Sequence, residues 1–83
     1  MRILLVEDES ALATWLARAL ERAGILVDWV DSATMALASL DASVHDAVVL
    51  DLGLPDIDGQ DLLRRLRARD RRTPALVLTA RDA

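Results

Sequence analysis

The sequence predicts an α/β domain, a parallel sheet with helices on both faces. Three observations carry this. Short apolar runs, "ILLV", "ILVDWV", "AVVLD" and "ALVLTA", recur four times along the chain. Between them lie stretches with apolar residues at helical spacing, long enough for crossover connections. The runs themselves are mostly apolar without alternation, which suits strands buried on both faces. Strand and helix taking turns in this way call for a parallel sheet.

The elements follow in order. "ILLVED" is a strand running into acids, and Ser10 is expected to cap the helix after it. Leu12, Leu16, Ala19, Leu20 and Ala23 form that helix's apolar face, and Gly24 stands where a helix ends. "ILVDWV" (25–30) carries one polar interruption, which suits a strand at the sheet edge. Ser32 caps a second helix with Ala33, Ala36, Leu37 and Leu40 on one face. "AVVLD" (47–51) is the third strand, followed by a loop containing Gly53, Pro55 and Gly59. Leu62, Leu63 and Leu66 mark a third helix, and Pro74 precedes the fourth strand, 75–80.

At 83 residues the chain is one domain at most. Its apolar content of 53% supplies a core, and that core is aliphatic, since Trp15 and Trp29 are the only aromatics. Both tryptophans are expected to be packing residues. The absence of Cys excludes disulfides, thiolate metal sites and a cysteine nucleophile. The opening apolar run is too short for a signal peptide, and no stretch approaches a membrane span of about 20 residues. A soluble, cytoplasmic protein is expected, with no membrane partner. The net charge of −4 is unevenly spread: residues 1–62 hold twelve acids and three Arg, residues 63–83 seven Arg and two Asp. There is no Lys.

In a parallel α/β sheet the loops after the strands gather at the carboxyl edge, where ligands bind. Glu7 and Asp8 follow the first strand, Asp51 ends the third, and Thr79 closes the fourth. If the first and third strands are neighbours, three carboxylates converge. Two unit charges about 4 Å apart repel by about 4 kcal/mol at an effective dielectric near 20. A divalent cation resolves that conflict, and oxygen ligands without His or Cys suit Mg²⁺ or Mn²⁺. Asp51 is then a candidate nucleophile toward phosphorus, and Thr79 a hydroxyl placed to bond a phosphoryl oxygen. Gly53 lets a backbone carbonyl approach the ion.

"LLVEDE", "VVLDLGLPDIDG" and "TPALVLTAR" together resemble the receiver domain of bacterial two-component response regulators, in wording closest to the OmpR/PhoB type. The resemblance runs over the whole chain. It implies a flavodoxin-like (CheY-like) fold with Asp51 as phosphoacceptor and Thr79 as the switch hydroxyl. It also implies Mg²⁺ held by Glu7, Asp8, Asp51 and the Gly53 carbonyl. A sensor histidine kinase would supply the phosphoryl group, so the domain is a switch rather than a turnover enzyme, though complete receivers assist their own phosphorylation and dephosphorylation. DNA would be met only through a separate C-terminal domain. Members of the family continue through a further helix, a fifth strand with a Lys before a Pro, a switch aromatic and a last helix. Residues 1–83 are therefore expected to be the N-terminal portion of a receiver domain. That implies strand order 2-1-3-4, without the fifth strand and the last two helices. An open fourth strand and a partly bare helix face predict self-association.

Other readings of the same residues are weaker. Asp56 and Asp58 in "PDIDG" read as turn formers and helix N-terminal charges, since a calcium loop needs later ligands that are missing. Residues 64–72 hold six Arg in nine positions, without interleaved aromatics. They read as a solvated face compensating the acidic site rather than a nucleic-acid patch. His45, before the third strand, belongs to the end of the sheet away from the site and takes a surface or packing role. A nucleotide-binding domain would want Gly and backbone N–H groups where "EDES" puts acids. The principal rival is a receiver-like module that is not phosphorylated and serves dimerisation or assembly.

Overall fold

The computed structural model describes residues 1–70 and 72–78. Seven elements alternate: β1 (Arg2–Val6), α1 (Ser10–Arg22), β2 (Leu26–Val30), α2 (Ala33–Ala42), β3 (Ala47–Asp51), α3 (Gly59–Arg69) and β4 (Ala75–Leu78). The four strands form one sheet in the order β2-β1-β3-β4, and every adjacent pair is parallel. The predicted α/β fold and strand order 2-1-3-4 are thus present. The strand reading of 75–80 holds over 75–78, and positions 79 and 80 lie outside the described residues.

β1 is central and its Leu4, Leu5 and Val6 have no exposed surface, which is why its run shows no alternation. Leu4 and Val6 point into a core with Val48, Leu50, Ala33, Ala36, Leu62 and Leu66, so α2 and α3 cover one face together. The chain steps from β1 to β2 in one direction and from β2 across to β3 in the other. Right-handed crossovers then place α1 on the opposite face from α2. β2 stands at one edge of the sheet, and Leu26 there is largely exposed.

The helix ends are set by capping. At the end of α1 the Ile25 N–H donates to the Leu20 carbonyl and the Gly24 N–H to that of Glu21, at 3.1 and 3.0 Å. This paired closure needs a left-handed residue, and Gly24 supplies φ +84°. Ser32 caps α2 as expected, its hydroxyl accepting from the Met35 N–H at 3.2 Å. Ser10 does not cap α1. The helix starts one residue earlier, with Glu9 at the cap position making no side-chain cap bond. The cause lies in the preceding loop: the Glu9 N–H donates to Glu7 Oε2 at 3.2 Å, and the Glu9 carbonyl accepts from Ala13.

Two further expectations are corrected. Trp15 is not a packing residue, being 66% exposed on α1. The arginines of α3 do not compensate the acidic site. Arg64 pairs with Asp61, Arg69 pairs with Asp41 at 3.1 Å, and Arg67 donates to the Thr73 carbonyl. Their partners are Asp61 of α3 itself, Asp41 of α2 and a loop carbonyl, reached because α3 runs away from the carboxyl edge. His45 is buried, with Nε2 2.8 Å from Asp28 Oδ2. Arg2 Nε donates to that same oxygen at 2.6 Å and, with His45, holds the Asp28 carboxyl below its ordinary range. The polar interruption in β2 is therefore a satisfied charge.

Candidate functional site

The register Val6↔Leu50 brings the ends of β1 and β3 side by side at the carboxyl edge. Glu7, Asp8 and Asp51 each offer a carboxylate oxygen there, and these oxygens lie within 4.8 Å of one another. The expected convergence of the three acids is present. Glu7 is only 2% exposed, Asp51 is half-buried and Asp8 is exposed. Burial pushes the Glu7 carboxyl up to about 7, and the neighbouring Asp51 and Asp8 add to the rise against the opposing Glu9 N–H. Among the described residues no ion pair ties an arginine to any of the three. A buried carboxylate beside two others, with no paired cation among the described residues, is a donor set suited to a hard divalent ion.

The loop after β3 is shaped around Asp51. The Gly53 N–H donates to Asp51 Oδ1 at 3.2 Å, which orients that carboxylate. Gly59 opens α3 with its N–H on the Leu52 carbonyl at 3.2 Å. A Cβ at Gly59 would stand 2.5 Å from Leu52 Cα and 2.8 Å from the Asp51 carbonyl oxygen. Only glycine fits where the helix start presses on the end of β3. Thr79 lies outside the described residues.

Asp56 and Asp58 are helix N-terminal charges, as read from "PDIDG", but on two different helices. Asp58 caps its own helix, accepting from the Gln60 N–H at 2.9 Å. Asp56 reaches across to α2: its carboxylate accepts from the Ala33 and Thr34 N–H groups, both at 2.9 Å, and from Thr34 Oγ1 at 2.6 Å. These bonds hold the Asp56 carboxyl well below the usual carboxylate range. No sequence signal pairs Asp56 with Ala33, because the contact depends on the crossover geometry. Trp29 was also missed as a site neighbour. Its Nε1–H donates to the Glu7 carbonyl at 2.8 Å, and its place at the end of "ILVDWV" beside the acidic loop is the one available hint.

The parallel sheet in the order 2-1-3-4, with carboxylates gathered at its carboxyl edge, is the arrangement of CheY-like receiver domains. The response regulator receiver domain model matches residues 3–83, and the chain belongs to that family. The transcriptional regulatory protein QseB of Escherichia coli is 43% identical over 83 residues, covering 100% of this chain and 38% of that protein. The chain therefore spans well under half the length of that relative. The crystal structure of the response regulator TrrA from Thermotoga maritima in complex with Mg²⁺-BeF is similar, with a TM-score of 0.93 at 28% identity. That likeness covers 98% of this chain and 70% of the other. TrrA in complex with the histidine kinase ThkA is also similar, with a TM-score of 0.91 at 28% identity, covering 99% of this chain and 71% of the other.

Proposed function

We propose that residues 1–83 form the N-terminal portion of a phosphorylatable receiver, with Asp51 as the acceptor. It would act in the cytoplasm, take its phosphoryl group from a sensor histidine kinase, and regulate a DNA-binding output domain in the whole protein. The observation that carries this reading is the gathering of Glu7, Asp8 and Asp51 oxygens within 4.8 Å. The Mg²⁺-BeF and kinase complexes of the similar protein TrrA support it.

The chemistry follows from the residues. Glu7, Asp8, Asp51 and the Gly53 carbonyl would hold Mg²⁺, which when bound neutralises the charge of phosphoryl oxygens. Asp51 Oδ attacks phosphorus while the bond from phosphorus to the donor nitrogen breaks, and the donor histidine leaves with the electron pair. The product is an aspartyl phosphate. The Gly53 N–H on Oδ1 leaves the other Asp51 oxygen to be the nucleophile. Thr79 is assigned the switch hydroxyl, on its motif position alone.

Intact mass after incubation with Mg²⁺ and a small phosphodonor tests the proposal, with Asp51→Asn in parallel. One added phosphoryl group, lost in the variant and in chelator, is expected. No addition to the wild-type chain would favour the rival, an interaction module without phosphorylation. For that rival, β4 pairs only with β3 among the described residues, and Trp15 and Leu76 are 66% and 61% exposed. Both features favour self-association, which sedimentation across a concentration series would detect. A monomeric mass at every concentration would count against it.

A further inference from the structure

We infer that Trp29 is a positioning residue of the acidic site, setting the affinity for a divalent cation through the peptide that joins Glu7 to Asp8. The inference rests on the reading of Glu7, Asp8 and Asp51 as cation ligands. It stands on three contacts around one residue. The Glu7 N–H donates to the Val30 carbonyl at 3.1 Å, and the Glu7 carbonyl accepts from Trp29 Nε1–H at 2.8 Å. The Glu7 carboxylate accepts from the Glu9 N–H at 3.2 Å. Both main-chain polar groups of Glu7 are thus held by the last two residues of β2.

The consequence follows from peptide planarity. The Glu7 carbonyl and the Asp8 N–H belong to one rigid unit. Pinning its oxygen fixes the plane, and with it the direction in which the Asp8 chain departs. Glu7 is anchored by burial, whereas Asp8 is exposed. The indole bond, by holding that peptide plane, helps to orient the exposed member of the pair. A phenylalanine would keep most of the apolar contact and lose the donor. Trp29 is 42% exposed, so water can reach the freed carbonyl, but water satisfies the oxygen without holding the plane.

Partners one step behind metal ligands typically change metal affinity by about 10–100-fold when removed. With water able to replace this one, the effect belongs at the lower end, roughly tenfold. Calorimetric titration of the whole chain with Mg²⁺ reads it directly, comparing wild type, Trp29→Phe, Trp15→Phe and Asp51→Asn. The melting temperature of each is taken in chelator and in saturating Mg²⁺. Trp29→Phe should bind Mg²⁺ more weakly and show a smaller Mg²⁺-dependent rise in melting temperature, while Trp15→Phe matches wild type. A merely structural role would lower both melting temperatures equally and leave the rise intact. Wild-type affinity in Trp29→Phe, with Asp51→Asn impaired, overturns the inference alone. Absence of Mg²⁺ binding by the wild type overturns the cation reading and this inference with it. The wild-type chain gives a second test that needs no variant: the Trp29 indole N–H resonance should shift on adding Mg²⁺ while that of Trp15 stays. A Trp29 signal indifferent to bound Mg²⁺ overturns the inference equally.

Discussion

Replacing Gly59 with alanine adds one methyl group where the backbone leaves no room for it. The new Cβ would lie 2.5 Å from Leu52 Cα, 2.8 Å from the Asp51 carbonyl oxygen and 2.9 Å from Leu52 Cδ2. Ordinary separations between carbon atoms are about 3.5–4.0 Å, so the start of α3 must retreat from the β3 loop by about 1 Å. Leu52 Cδ2 can swing aside, but the other two atoms are main chain. Overpacking of this kind costs about 1–3 kcal/mol, and alanine's better helix propensity returns less than about 1 kcal/mol at a first helical position. A net loss of about 1–2 kcal/mol is a large share of the roughly 4–12 kcal/mol expected for a domain of this size. It lowers the melting temperature by about 4–16 °C.

The displaced atoms are those that carry Asp51, so Mg²⁺ affinity should fall together with stability. Gly24→Ala is the control. Its φ of +84° disfavours alanine, yet a Cβ there meets nothing within 4 Å, so it should cost about 1–2 kcal/mol and leave Mg²⁺ binding unchanged. Thermal melts and Mg²⁺ titrations of the two variants separate the effects. A Gly59→Ala protein that melts with the wild type and binds Mg²⁺ as well would refute the reasoning from the close approach.

Asp56→Ala removes three bonds at the start of α2 and should lower the urea midpoint at neutral pH. The folded carboxyl titrates below its ordinary value, so its contribution is present above about pH 4 and fades as pH falls further. The gap between wild type and variant should close toward pH 2, and a constant gap would contradict the assignment. For Glu7 the sign reverses, because its folded carboxyl sits at about 7 against an ordinary 4.5. In chelator, the contribution of this group is fully present below pH 4.5 and lost as pH rises through 7. Glu7→Gln should therefore flatten the decline of stability between those values, and parallel pH profiles would count against it. Leu4→Ala, in the fully buried centre of β1, should cost about 2–5 kcal/mol by urea unfolding.

The residues differ in how much they reveal before folding. The strands at the sheet centre are legible because full burial leaves an unbroken apolar run, as in "ILLV", and the acids that interrupt it mark the carboxyl edge. Gly24 and Ser32 are legible because their bonds close within a few residues. Ser10 misleads because the competing partner of that loop, the Glu7 carboxylate, enters only once Glu7 is buried. Trp15 misleads because an aromatic in a helix carries no label for the side it faces. The Asp56 cap on α2 and the Trp29 bond to Glu7 span 23 and 22 residues. Contacts of that kind exist only after the crossovers have placed α2 and β2, so no local pattern encodes them.

The two long-range bonds share a logic. The three acids repel one another, and a cluster of this kind loosens unless its backbone is held from outside. β1 and β3 supply the first restraint, since each is paired on both sides in the sheet. The loops beyond the strand ends lack that pairing. They are held instead by side chains that arrive from other elements, Trp29 on the β1–α1 loop and Asp56 tying the β3–α3 loop to α2. Gly59 completes the set by letting α3 close against Asp51. Changes at these three positions should therefore act on how well the acids cooperate while each carboxylate stays in place. Substituting a carboxylate itself removes the site. A cation affinity that responds in graded fashion to Gly59, Asp56 and Trp29, but is abolished at Asp51, is the pattern this arrangement requires.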